Sequence, residues 1–119
     1  MRDPKERLRD ILEAIAAIDR YSDRDRSAFE QDELLQVWFL RQLQIIGEAA
    51  RRLPEEIRNL DLDIPWHKIT GMRNIPVHGY FAIDLDVVWD AVQRDVPLLM
   101  LKPAVEAFLT KPEDQGYGG

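Results

Sequence analysis

Cysteine is absent from the 119 residues, and histidine occurs only twice. The first absence excludes disulfides and thiolate metal sites, and it suits a cytoplasmic protein. The second leaves no pair of imidazoles at ligand spacing, so neither a metal nor another cofactor is expected. Serine also occurs only twice, and no nucleophile-and-base arrangement forms around it. The glycine patterns of phosphate loops and dinucleotide folds are missing. No run approaches the ~20 apolar residues that cross a bilayer. The opening MRDPKERLRD is charged from its first residues and does not read as a signal peptide. Strand-like alternation is not convincing anywhere, and no repeat or low-complexity tract appears.

What remains is a charged, moderately apolar chain: 45% hydrophobic, 32% charged, net charge −6. Its size favours one domain with one core, expected over residues 1–110. The tail KPEDQGYGG, residues 111–119, reads as disordered. The acidic balance argues against a broad nucleic-acid surface, so any such contact must be local. Arg41, Arg51, Arg52, Arg58, Lys68 and Arg73 concentrate cations in the middle third, with acids interleaved. A solvated mixed-charge surface is the better account of most of them.

Helical periodicity dominates. Leu8, Ile11, Leu12, Ile15 and Ile18 mark an amphipathic helix over about residues 4–21, with Pro4 in its first turn. Ser27 and Glu30 match a capping box for a second helix that runs to about Leu53, before Pro54. Its middle, LLQVWFLRQLQIIGEAA, is apolar on more than one face, which predicts burial on two sides. Two explanations stay open: a central bundle helix, or a self-association surface. Gly47, Ala49 and Ala50 would let another helix approach closely. PEEIRNL reads as a short helical turn. A further helix starts at Pro65 and must end or distort between Pro76 and Gly79. Asp84 caps the next one, whose stripe is Leu85, Val88, Trp89, Val92 and Val96. Pro97 and Pro103 should kink or interrupt it. The class is all-α, an antiparallel bundle of four or five helices.

The segment RNIPVHGY, residues 73–80, concentrates the chemistry. Histidine moves protons near neutrality, and arginine grips phosphate oxygens in pairs. Together they suit a phosphodiester. In RNA the 2′-hydroxyl supplies its own nucleophile, so a base, an acid and a cation suffice. One chain offers one such histidine, and a two-fold dimer would offer two across a shared cleft. On a regular helix Arg73 and His78 would lie about 140° apart around the axis. Loosening at Pro76–Gly79 would have to bring them together. Structural roles are open to all of these residues: Tyr80 beside Phe81 can pack, and His67 after Trp66 can sit at the surface.

RNIPVHGY, with IIGEAARRL and IPWHKITGMRN before it and VHGYFAIDLDVVWDAVQRDVP around and after it, resembles the HEPN superfamily and its HepT-like toxins over about residues 5–105. The resemblance implies a helical bundle that dimerises around an RNA-cleaving cleft, with Arg73 and His78 catalytic and Asn74 in the polar position that follows the arginine. It further implies a toxin–antitoxin system with RNA, including tRNA, as substrate class. The implied partner is an MntA-like nucleotidyltransferase antitoxin that adds AMP to Tyr80. Pro76 departs from the pattern, where an aliphatic residue is expected. Glu48 is placed to orient Arg73 or to face solvent. The competing reading is a non-catalytic helical dimer that binds and regulates a nucleotidyltransferase.

Overall fold

A computed structural model describes residues 3–60, 64–75, 77–78, 82–93 and 96–110, with side chains for all of these except 77, 78, 82 and 96–101. Its elements are helices α1 (Pro4–Asp19), α2 (Arg26–Gln31), α3 (Glu33–Arg51), α4 (Glu55–Arg58) and α5 (Trp66–Gly71), a 3-10 turn (Met72–Asn74), strands β1 (Val77–His78) and β2 (Ala82–Ile83), and helices α6 (Leu85–Gln93) and α7 (Val96–Thr110). The class is all-α, as expected. Among the described residues seven helices stand where four or five were expected, and a minimal antiparallel pairing is added, Val77 with Ile83 and His78 with Ala82, too short for residue alternation to reveal.

Helix α3 is the spine. It packs most extensively on α1 and also meets α2, α5, the 3-10 turn and α6. The α1–α3 pair is antiparallel. Near the start of α3, Trp38 donates its Nε1–H to the Ala17 carbonyl near the end of α1, at 2.9 Å. One apolar cluster holds the fold together, drawing Ile11 and Ile15 from α1, Phe39 and Leu43 from α3, Ile69 from α5, Val88 from α6 and Val105 from α7. The wide burial expected of the second helix is real: the stripe Leu35, Phe39, Leu43 and Ile46 is flanked by buried Leu40 and Gly47 on one side and by buried Gln42 and Ala49 on the other. Leu34 and Val37 are the exception, 85% and 55% exposed.

The single long second helix is a correction. The chain breaks at Asp32, which is extended (φ −117°, ψ 95°). The capping box at Ser27 and Glu30 does not form. Asp25 caps α2 instead, accepting from the Ala28 N–H at 2.8 Å, and Glu30 binds Arg26. Asp32 then caps α3 through the Leu35 N–H at 3.0 Å. The Gln36 amide donates to the Phe29 and Glu30 carbonyls, which satisfies the end of α2. The break turns Phe29 inward, where its ring lies 5.9 Å from Phe39 and 5.2 Å from Trp89.

The helix begun at Pro65 also ends earlier than expected. It tightens to 3-10 geometry at Met72, and Ile75 is already extended (φ −56°, ψ 125°). The cause is Pro76, whose ring disfavours helical geometry at its predecessor. Asp84 caps α6 through the Val87 N–H at 3.3 Å. The last stripe is divided, with α6 ending at Gln93 and α7 starting at Val96, Pro97 in its first turn and Pro103 inside it. The expected tail, residues 111–119, lies outside the described residues.

Candidate functional site

The position of Arg73 follows from a glycine. At Gly47 the backbone of α3 comes so close to the 3-10 turn that a Cβ there would lie 2.5 Å from the Arg73 nitrogen and 3.1 Å from the Ile69 oxygen. The close approach expected at Gly47 is thus used within one chain, between α3 and the turn that carries Arg73. On the other side of that turn, Ile69 and Met72 are buried in the core and hold it against α3.

The neighbouring residue on α3 then orients the guanidinium. Glu48 Oε2 accepts from Arg73 Nη1 at 2.9 Å, while Glu48 Oε1 accepts from Arg52 Nε at 2.8 Å and lies 3.5 Å from Arg51 Nη2. The hydrogen bonds from Arg52 and Arg73 hold the Glu48 carboxyl down to about 2, below the usual carboxylate range. Glu48 is therefore ionised throughout the neutral range. Of the two roles open to it, the structure realises contact with Arg73. Asn74, at the end of the turn, is exposed.

Arg73 and Glu48 line an open groove of about 420 Å³ between α1 and α3, together with Arg7 and Asp10 from α1 and Arg41 and Gln44 from α3. Three guanidinia thus meet two carboxylates in a chain whose net charge is −6. Cations outnumber anions in this groove although the chain as a whole is acidic. Arg7 was not singled out in the sequence. It precedes the buried stripe of α1 by one residue, and nothing local ties it to Arg41 and Arg73. Only the antiparallel packing of α1 on α3 brings them together.

His78 is placed by backbone alone, on β1 opposite Ala82. It therefore stands on a different element from Arg73, and the helical-wheel angle between them does not apply. The distance from its imidazole to Arg73, and the whole of Tyr80, lie outside the described residues. His67 is exposed on α5. Among the described residues, no helix is long and apolar enough to cross a membrane.

Comparison with known proteins gives a consistent result. A family model described as "Ribonuclease HepT-like" matches residues 11–110. A "Probable ribonuclease HepT" from Thermococcus cleftensis is 37% identical over 101 residues, covering 82% of this chain and 90% of the relative. A "Putative RNase" from Caldanaerobacter subterraneus subsp. tengcongensis is 35% identical over 100 residues, covering 83% and 89%. A longer Methanocaldococcus jannaschii protein, described as "Gamma-glutamylcyclotransferase and putative RNase", is 38% identical over 99 residues, and the match spans only 45% of its length. No solved structure matches the chain.

Proposed function

The chain belongs to the HepT-like ribonuclease family, and on that footing we propose that it is the toxin of a toxin–antitoxin pair, an endoribonuclease that cuts RNA without a metal cofactor. The observation that carries this reading is Arg73, fixed by Glu48 in an arginine-lined groove. A cation held rigidly beside a phosphodiester stabilises the extra negative charge of the crowded phosphorus.

In the proposed reaction the RNA 2′-hydroxyl attacks the adjacent phosphorus. One His78 takes the hydroxyl proton as the new O–P bond forms. The P–O5′ bond breaks, and the leaving oxygen receives a proton from the His78 of a second copy. The products are a 2′,3′-cyclic phosphate and a 5′-hydroxyl. The two histidines require a homodimer. Leu34 and Val37, exposed on the long helix, support a contact between copies.

Tyr80 is the proposed regulatory position. A nucleotidyltransferase antitoxin transfers AMP from ATP to the phenol oxygen, and pyrophosphate leaves. The adduct carries negative charge two residues from His78 and opposes the RNA backbone. Transfer RNA falls within the expected substrate class.

The test is purified full-length protein incubated with RNA, with and without a chelator. Cleavage that persists with chelator, and that Arg73→Ala and His78→Ala each reduce by about 10²–10⁴-fold, supports the reading. One observation favours the alternative, a non-catalytic dimer that regulates a nucleotidyltransferase: Glu48 already occupies one edge of the Arg73 guanidinium, which a phosphate would otherwise use. Wild-type protein that leaves RNA intact under every condition while binding such a partner selects that alternative.

A further inference from the structure

The groove contains more cation than the proposed chemistry uses. Arg51, Arg52 and Arg73 are all anchored on Glu48. Arg7 and Arg41 are not. Among the described residues, neither has a carboxylate within ion-pair distance, and both line the same groove. Arg7 extends from α1 and Arg41 from α3, so they approach the groove from its two walls. Along α3, Arg41 precedes Glu48 by seven residues, about 10 Å of helix rise. The Arg7–Arg41 pair therefore stands displaced along the groove from the guanidinium that Glu48 holds.

We propose that Arg7 and Arg41 are substrate-binding residues that clasp a backbone phosphate of single-stranded RNA flanking the scissile linkage, which lies at Arg73. The proposal rests on the ribonuclease reading above and adds to it how the strand is held. Guanidinia with no carboxylate partner among the described residues can fork onto phosphate oxygens. A flexible strand fits better than a duplex, because single-stranded segments can splay their backbone along a protein groove. The wide separation of the two walls in sequence gives the groove a charge pattern independent of the RNIPVHGY motif. The acidic remainder of the chain confines attraction to this track.

The experiment measures binding of full-length protein to a short single-stranded oligoribonucleotide whose 2′-hydroxyls are all methylated, so that it binds without being cut, over a series of salt concentrations. Cleavage of the unmethylated strand is followed in parallel. In the Arg7→Gln/Arg41→Gln variant we expect affinity to fall on the order of tenfold or more, with the slope of log K against log salt flattened by about 0.7 per lost phosphate contact. Cleavage at saturating enzyme should persist. Arg9→Gln removes a charge from the same helix about 200° around its axis and should leave the slope unchanged. Arg7→Lys/Arg41→Lys should restore most of the slope, which separates charge from folding. If the glutamine double variant binds with wild-type affinity and slope while wild type cleaves RNA, the clasp is wrong and the ribonuclease reading stands. If Arg9→Gln flattens the slope as much, the attraction is general and the clasp is again overturned. If wild type neither binds nor cleaves RNA, both readings fall.

Discussion

Gly47 and Arg73 meet where only a residue without a Cβ fits: a Cβ on one would sit 2.5 Å from the backbone nitrogen of the other. The obstacle is main chain, so it cannot rotate away. Gly47→Ala should force α3 and the 3-10 turn apart at a cost of about 1–3 kcal/mol, as overpacking does. Gly71 provides the contrast, because a Cβ there meets nothing within 4 Å and its φ is −66°. Gly71→Ala should raise stability by about 0.5–1 kcal/mol through helix propensity. Thermal melts followed by circular dichroism should move in opposite directions for the two variants.

Glu48 gives a prediction in acid. Its folded-state value of about 2 lies below the unfolded one, so its contribution is fully present above about pH 4.3. That contribution fades as pH falls from there toward 2. The carboxylate is 37% exposed, so added salt weakens the effect. Glu48→Gln should destabilise the protein at pH 7 and narrow its difference from wild type as pH drops through that window. Urea titrations at several pH values measure this. At neutral pH the same variant should lose about 10²-fold in cleavage through a misplaced Arg73. Glu48 stays ionised near neutrality and should therefore add no step to the pH–rate curve there.

Mixed dimers test the shared cleft. A dimer of one wild-type copy with one His78→Ala copy keeps both guanidinia but a single imidazole, so it lacks either the base or the acid. Excess His78→Ala protein that exchanges copies with wild type should therefore suppress cleavage by the wild-type chains, with single-turnover rates as the readout. Wild-type cleavage left undiminished after exchange would contradict a site completed by two copies.

Phe29 tests the Asp32 break. Its ring is fully buried between Phe39 and Trp89. Phe29→Ala should cost about 3–5 kcal/mol and loosen α2 and α6 together. Hydrogen exchange should show lost protection in both helices. An effect confined to α2 would mean that the aromatic contacts do not join them.

The all-α class was legible because Leu8–Ile18 and Leu85–Val92 repeat at helical spacing. Arg73 and Glu48 were both named from the sequence, but their contact depends on where two helices cross. That crossing is set by Gly47 together with the buried Ile69 and Met72. Arg7 was missed because an arginine at the edge of an amphipathic helix looks like any solvated cation. The Ser27 capping box was a valid local signal that lost to Asp25, two residues earlier, which caps equally well. The break at Asp32 was hidden because apolar residues continue on both sides of it. The short α5 escaped because Pro76 acts one residue ahead of itself.

The 3-10 turn and the two-residue strand divide the motif between two mountings. The arginine half is bolted to the long helix by Glu48, while the histidine half belongs to a small ribbon with its own pairing. Exchange of side chains along the long helix can therefore move the Arg73 guanidinium separately from the strand that carries His78.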